Sequence, residues 1–202
     1  MNTLKIAAVL ALFSLTPVAA HAADFATQPA AASASSNWDG LYIGAHLGYG
    51  WGTGTFASTN TASLTGFSAG AQEGYNFHLS DGVIAGVEGD LTWNNEQGTF
   101  GGSTTERINW DGSVRGRLGL DLGQIMPYAE AGVAFANATV ASAYSQTHVG
   151  WTVGAGVEFM MADNLSANVE YRYSNYGTQN YAGSTPIALT DNSLRVGLNY
   201  HF

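Results

Sequence analysis

Only 10% of the 202 residues are charged, and Lys and Arg number 6 against 15 Asp and Glu, for a formal charge of −9. That balance excludes a nucleic-acid partner, whose phosphates need a basic surface, and leaves no polybasic patch for anionic lipid. No apolar run after residue 20 reaches the roughly 18 residues of a helical span. A membrane role would therefore have to use strands, whose alternation hides an apolar face within a near-neutral average hydropathy.

The opening MNTLKIAAVLALFSLTPVAAHA reads as a secretory signal, with Lys5 as the basic end, Ile6 to Leu15 as the apolar stretch and Ala20-His21-Ala22 as the cleavage site. Residues 1–22 are expected to be removed. Residues 23–37 are Ala, Ser, Thr, Gln and Pro with little else, too polar to bury a core, and are expected to form a flexible periplasmic lead. The chain contains no Cys, so the stability of residues 38–202 must come from β hydrogen bonds and burial.

Eight stretches then alternate with the period of two that a strand imposes. In the first, Leu41, Ile43, Ala45, Leu47, Tyr49 and Trp51 oppose Tyr42, Gly44, His46, Gly48 and Gly50. The second sets Phe67, Ala69, Ala71, Tyr75 and Phe77 against Ser68, Gly70, Gln72, Gly74 and Asn76, with Glu73 out of place on the apolar side. The third turns Glu88 and Asp90 away from Val83, Ala85, Val87, Leu91 and Trp93. In the fourth, Asp111, Arg115 and Arg117 oppose Ile108, Trp110, Val114, Leu118 and Leu120. Ala129, Ala131, Val133 and Phe135 oppose Tyr128, Glu130 and Gly132 in the fifth, and Trp151, Val153, Ala155, Val157 and Phe159 oppose Gly154, Gly156 and Glu158 in the sixth. The seventh sets Leu165, Ala167, Val169, Tyr171 and Tyr173 against Asn168, Glu170 and Arg172. The last ten residues are the eighth, with Leu194, Val196, Leu198, Tyr200 and Phe202 on one face and Arg195, Gly197, Asn199 and His201 on the other.

The connections alternate in length. Long links are expected at about 53 to 65, 95 to 106, 138 to 148 and 177 to 190, and short turns at residues 79 to 82, 122 to 126 and 162 to 164. This is the pattern of an all-β, eight-stranded antiparallel up-and-down transmembrane barrel in the outer membrane of a Gram-negative cell, with both termini periplasmic. Aromatics on the apolar face gather at the strand ends: Tyr49, Trp51, Phe67, Trp93, Trp110, Phe135, Trp151, Tyr171 and Tyr173 near the long links, and Tyr75, Phe77, Phe159, Tyr200 and Phe202 near the short turns. Two belts around an aliphatic middle suit the two bilayer interfaces.

The inward charges are the candidate functional constellation: Glu88, Asp90, Asp111, Glu130, Glu158 and Glu170 with Arg115, Arg117, Arg172 and Arg195. An eight-stranded interior is just filled by side chains, so these charges are expected to pair into a plug. The excess of acids keeps a narrow, cation-attracting pore open as the alternative. Glu73 is expected to snorkel to the headgroups, or to be turned inward by a bulge. His78-Leu79-Ser80 brings together two residue types of a lipid hydrolase, but in a short turn, away from the outer leaflet. His46, His148 and His201 have no metal spacing. His148, with Tyr144, is either a haem or metal ligand or a solvated loop histidine. No catalytic residue, cofactor or metal site is expected.

Asn37 to Gly44, Gly74-Tyr75-Asn76-Phe77, Val87-Glu88-Gly89-Asp90 and Arg195 to Phe202 resemble the small outer-membrane barrels of alphaproteobacteria, the RopB-type proteins and related surface antigens of the porin family. The resemblance implies a barrel like the OmpA membrane domain, set among outer-membrane lipid and lipopolysaccharide. It also implies insertion by the barrel assembly machinery, which reads the C-terminal strand at Tyr200 and Phe202. Relatives of this kind support envelope integrity and host contact through their loops, and some bind haemin; no catalytic residues come with them. Glu73 departs from the family pattern, and no peptidoglycan-binding domain is recognised.

Overall fold

All eight alternating stretches are strands in a computed structural model that describes residues 38–56, 60–100, 104–140, 144–181 and 185–202. The expected signal and lead lie outside the described residues. The strands are β1 (Gly40–Phe56), β2 (Asn60–Ser80), β3 (Val83–Phe100), β4 (Thr104–Leu120), β5 (Ile125–Val140), β6 (Tyr144–Ala162), β7 (Leu165–Tyr181) and β8 (Thr185–His201). Each pairs antiparallel with its neighbours, and β8 returns to β1 in a register from Tyr42 opposite His201 to Phe56 opposite Ile187, so the sheet is a closed barrel. Closure matters because hydrocarbon cannot satisfy an unpaired strand edge.

The short turns fall where expected. Gly82 (φ 76°) and Gly123 (φ 83°) take the left-handed conformation that a residue with a Cβ rarely adopts, and the Asp121 amide donates to the Gly82 carbonyl at 3.0 Å, tying two turns together. The long links are mostly strand instead. β1 runs on to Phe56 before β2 starts at Asn60, and the other three connections at that end are equally brief.

The outward face between the belts is apolar, as the parity implies: Leu47, Val87, Val114, Leu118, Val133, Val169, Val196 and Leu198 are all exposed. Belt aromatics touch ring to ring at the long-link end, Tyr49 with Phe67 and Trp151 with Tyr173 on adjacent strands and Trp51 with Tyr171 across β8. At the other end Tyr200 of β8 meets Phe202, just past the strand, edge-on.

Beyond the belt at the long-link end, the upper belt, the pattern inverts. Leu64, Ile108, Ala134, Ala136, Ala138, Tyr176 and Leu189 form a buried cluster inside the barrel, while Thr61, Ser63, Thr65, Gln97 and Arg107 point outward and are exposed. A strand continuing past hydrocarbon into water must turn its polar parity out and its apolar parity in. Ile108, expected on the outer face with Trp110, is 2% exposed and turned inward. The ladder between β4 and β5 slips between Ile108 and Trp110, and one extra residue reverses every side chain above it.

Candidate functional site

The lumen holds three tiers. At the short-turn end Trp38 is fully buried against Ile84 and Met126, with Met160 packed beside them, and its indole N–H donates to the Gly123 carbonyl at 2.9 Å. Trp38 precedes β1 and meets His201 edge-on, so the start of the barrel is folded under its last strand.

The middle tier contains the ten charged residues singled out from the sequence, all buried, in one connected ion-pair network. Adjacent strands supply them at inward parity, with Glu88 opposite Arg115, Arg117 opposite Glu130 and Glu170 opposite Arg195. Arg115 contacts Glu88 and Asp90 and lies 2.8 Å from Glu130. Arg117 meets Glu158 at 2.7 Å and Glu88 at 3.4 Å. Arg172 spans Glu170 at 2.6 Å, Asp90 at 2.7 Å and Glu130 at 3.3 Å. Arg195 reaches Asp111 at 3.4 Å and Asp90 at 3.5 Å, the inward acids that the parity of the last strand requires.

Residues placed on the inner face by parity, but given no role from the sequence, complete this tier. Tyr42 donates to Glu88 at 2.5 Å and accepts from Arg117 at 2.9 Å. The Arg117 guanidinium also stacks 4.0 Å from the centre of the Tyr128 ring, and Tyr128 donates to Glu170 at 3.1 Å. His46 joins Gln72 at 3.0 Å and Thr92 at 3.1 Å, and Gln72 continues to Asn199 and on to Glu158. Each of the six acids has a guanidinium partner, which favours tolerance of buried ions, and four Arg against six acids leave an excess of carboxylates in the tier.

The upper tier is the apolar cluster, with Glu96 and Asp191 buried near it. Glu96 falls within the long link expected at 95 to 106, and Asp191 just past the one expected at 177 to 190. Both share the inward parity of their strands, Asp191 with Ser193 and Arg195 and Glu96 with Glu88, Asp90 and Thr92, which could have revealed them; the slip between Trp93 and Glu96 leaves the parity of β3 unchanged and reverses that of β4.

Carboxylate oxygens of Glu88, Glu130 and Glu170 lie within 4.8 Å of one another, the spacing of a cation site, but Arg115 and Arg172 already occupy the charge between them. Ser166, His201 and Glu158 also meet: Ser166 donates to Glu158 at 2.6 Å and lies 2.9 Å from His201 Nε2. The same ring nitrogen faces both partners, with Glu158 at 3.6 Å, whereas a proton relay needs the hydroxyl and the acid on opposite nitrogens. This cluster fastens β6, β7 and β8 together.

His148 is fully buried on β6 beside the Tyr176 and Gly177 backbone, not a solvated loop histidine. His78 lies beyond the belt residue Phe77 and is exposed. Its Nδ1 sits 2.8 Å from Asp39 and its Nε2 3.2 Å from Asp121, and these hydrogen bonds, to Asp39 first, raise its pKa. Glu73 is exposed on the outer face in unbroken register opposite Ile43 and Gly89, so the bulge that would have turned it inward is ruled out.

The family model for the outer membrane protein beta-barrel domain matches residues 7–202. The 25 kDa outer-membrane immunogenic protein of Brucella abortus is 36% identical over the whole of both chains. The 22 kDa outer membrane protein of Rhizobium leguminosarum is 33% identical over 87% of this chain and 83% of its own. Among solved structures, Neisserial surface protein A superposes with a TM-score of 0.56 at 19% identity, covering 80% of this chain and 97% of that one, a likeness of fold.

Proposed function

This chain belongs to the outer-membrane β-barrel protein family, and from that premise we propose that it is a structural, surface-displayed barrel with a closed lumen. One observation carries the reading: inward side chains from Trp38 through the Arg115 network to Leu64 and Leu189 are buried in succession from one mouth to the other. An eight-stranded barrel filled in this way has no aqueous path for a solute.

In this reading both termini and the short turns lie in the periplasm, and the polar-sided upper extension stands clear of the bilayer at the cell surface. Outer-membrane phospholipid and lipopolysaccharide surround the apolar belt. The strand ends around 53–65, 95–106, 138–148 and 177–190 then meet surface ligands, which supports a role in envelope integrity and contact. Tyr200 and Phe202, exposed at the end of the closing strand, are the residues the assembly machinery would read.

Ion conductance of the refolded protein in a planar bilayer tests the closed lumen. The wild type is expected to give no stable single-channel steps, with the Arg115→Ala, Arg117→Ala double variant as the loosened control. Large, stable wild-type steps would replace the closed barrel with a diffusion pore. Turnover of lipid A or phospholipid by the pure protein would replace it with an enzyme.

A further inference from the structure

Glu73 is the one charged side chain among the described residues that faces outward between the two aromatic belts. It borders a groove of about 680 Å³ on the outer face of β1 to β5, walled by Ile43, Ala71, Leu91, Val114 and Phe135. The groove exists because Gly89, the cross-strand neighbour of Glu73, leaves its floor without a side chain, and because the Phe135 ring lies over Gly112 to close one side. This feature belongs to the membrane-facing surface and does not depend on whether the lumen is closed.

Hydrocarbon offers a carboxylate no hydrogen-bond donor, so an ionised Glu73 calls for a donor, best a cationic one, from outside the outward face of the barrel. Its depth says where that partner comes from. Glu73 is one outward position inside the belt residue Tyr75, about 5 Å at the rise of a tilted strand, within reach of headgroups in the leaflet at the short-turn end. A second copy of the chain supplies no cation at that depth. Among the described outward residues, Arg107 lies beyond the opposite belt and His78 is held by Asp39 and Asp121.

We propose that the groove binds a phospholipid with a primary ammonium headgroup, whose N–H groups donate to the Glu73 carboxylate while an acyl chain lies over Gly89. A quaternary headgroup has no N–H to donate, so the site should discriminate between the two.

Native mass spectrometry of the refolded full chain, titrated with phosphatidylethanolamine or phosphatidylcholine of identical acyl chains, tests the proposal. The ethanolamine lipid should be held about ten-fold more tightly, the worth of a charge-assisted hydrogen bond. Glu73→Gln should abolish the preference. Gly89→Leu should weaken both lipids with Glu73 intact; an added Cβ there meets only the Ser113 carbonyl, at 3.8 Å, so the barrel accommodates it. Equal retention of the two lipids by the wild type, or an undiminished preference in Glu73→Gln, would overturn the assignment. So would a wild-type dimer abolished by Gly89→Leu, which would make the occupant a second copy.

Discussion

Between the two belts the barrel is apolar outside and charged inside; above the upper belt it is polar outside and mainly apolar inside, with Glu96 and Asp191 buried beside the cluster. The same eight strands run through both regions, and the same alternation of side chains builds both. The contrast teaches that a period of two fixes which residues share a face but not which face is wet. The surrounding medium decides that, and it changes along each strand.

The largest expected effect probes the lower region. Arg115 bridges Glu88, Asp90 and Glu130, so Arg115→Ala leaves buried carboxylates facing each other and should cost about 3–5 kcal/mol in urea unfolding followed by Trp fluorescence. An unchanged midpoint would mean that water already hydrates these acids, and the two interiors would differ less than their residues suggest. The upper region is tested by neighbours of opposite parity. Leu64→Ala, inside the cluster, should cost about 3 kcal/mol, whereas Thr65→Ala, exposed on the outer wall, should stay within about 0.5 kcal/mol. Equal losses would break the claim that this end is packed like a soluble core.

The smallest effect is at the short-turn rim. His78 has a raised folded pKa, so its pairing with Asp39 and Asp121 stabilises fully below the unfolded value of about 6.5 and fades as pH rises through the folded value. His78 is more than a third exposed, so solvent screening holds the effect below about 1 kcal/mol. The gap in unfolding midpoint between wild type and His78→Ala should be widest near pH 5.5 and close by about pH 9. A gap that widened with pH would reverse the sign of the pairing.

The lower region was legible in the sequence because lipid enforces a strict rule: apolar, aliphatic in the middle and aromatic at both rims. Glu88, Arg115 and Arg195 could be assigned inward from parity alone. The upper region was not legible for two reasons. Its outer wall of Thr, Ser and Asn looks like loop, and a single slipped residue at Ile108 reverses the parity beyond it. Trp38 was hidden differently, since a tryptophan beside a polar lead gives no sign that it will fold under the barrel. Glu96 was hidden only by its loop-like surroundings, since it keeps the inward parity of Glu88, Asp90 and Thr92.

The pairing of β1 with β8 also sets a schedule. Leu41 accepts a hydrogen bond from the amide of Phe202, the final residue, so the first strand remains an open edge until the last one arrives. Every other seam joins neighbours in sequence and can zip locally, but this one must wait for a loop of nearly the whole chain to close. The slow step of folding is therefore written into the closing seam, and weakening β8 should lengthen the life of the open sheet before it weakens the finished barrel.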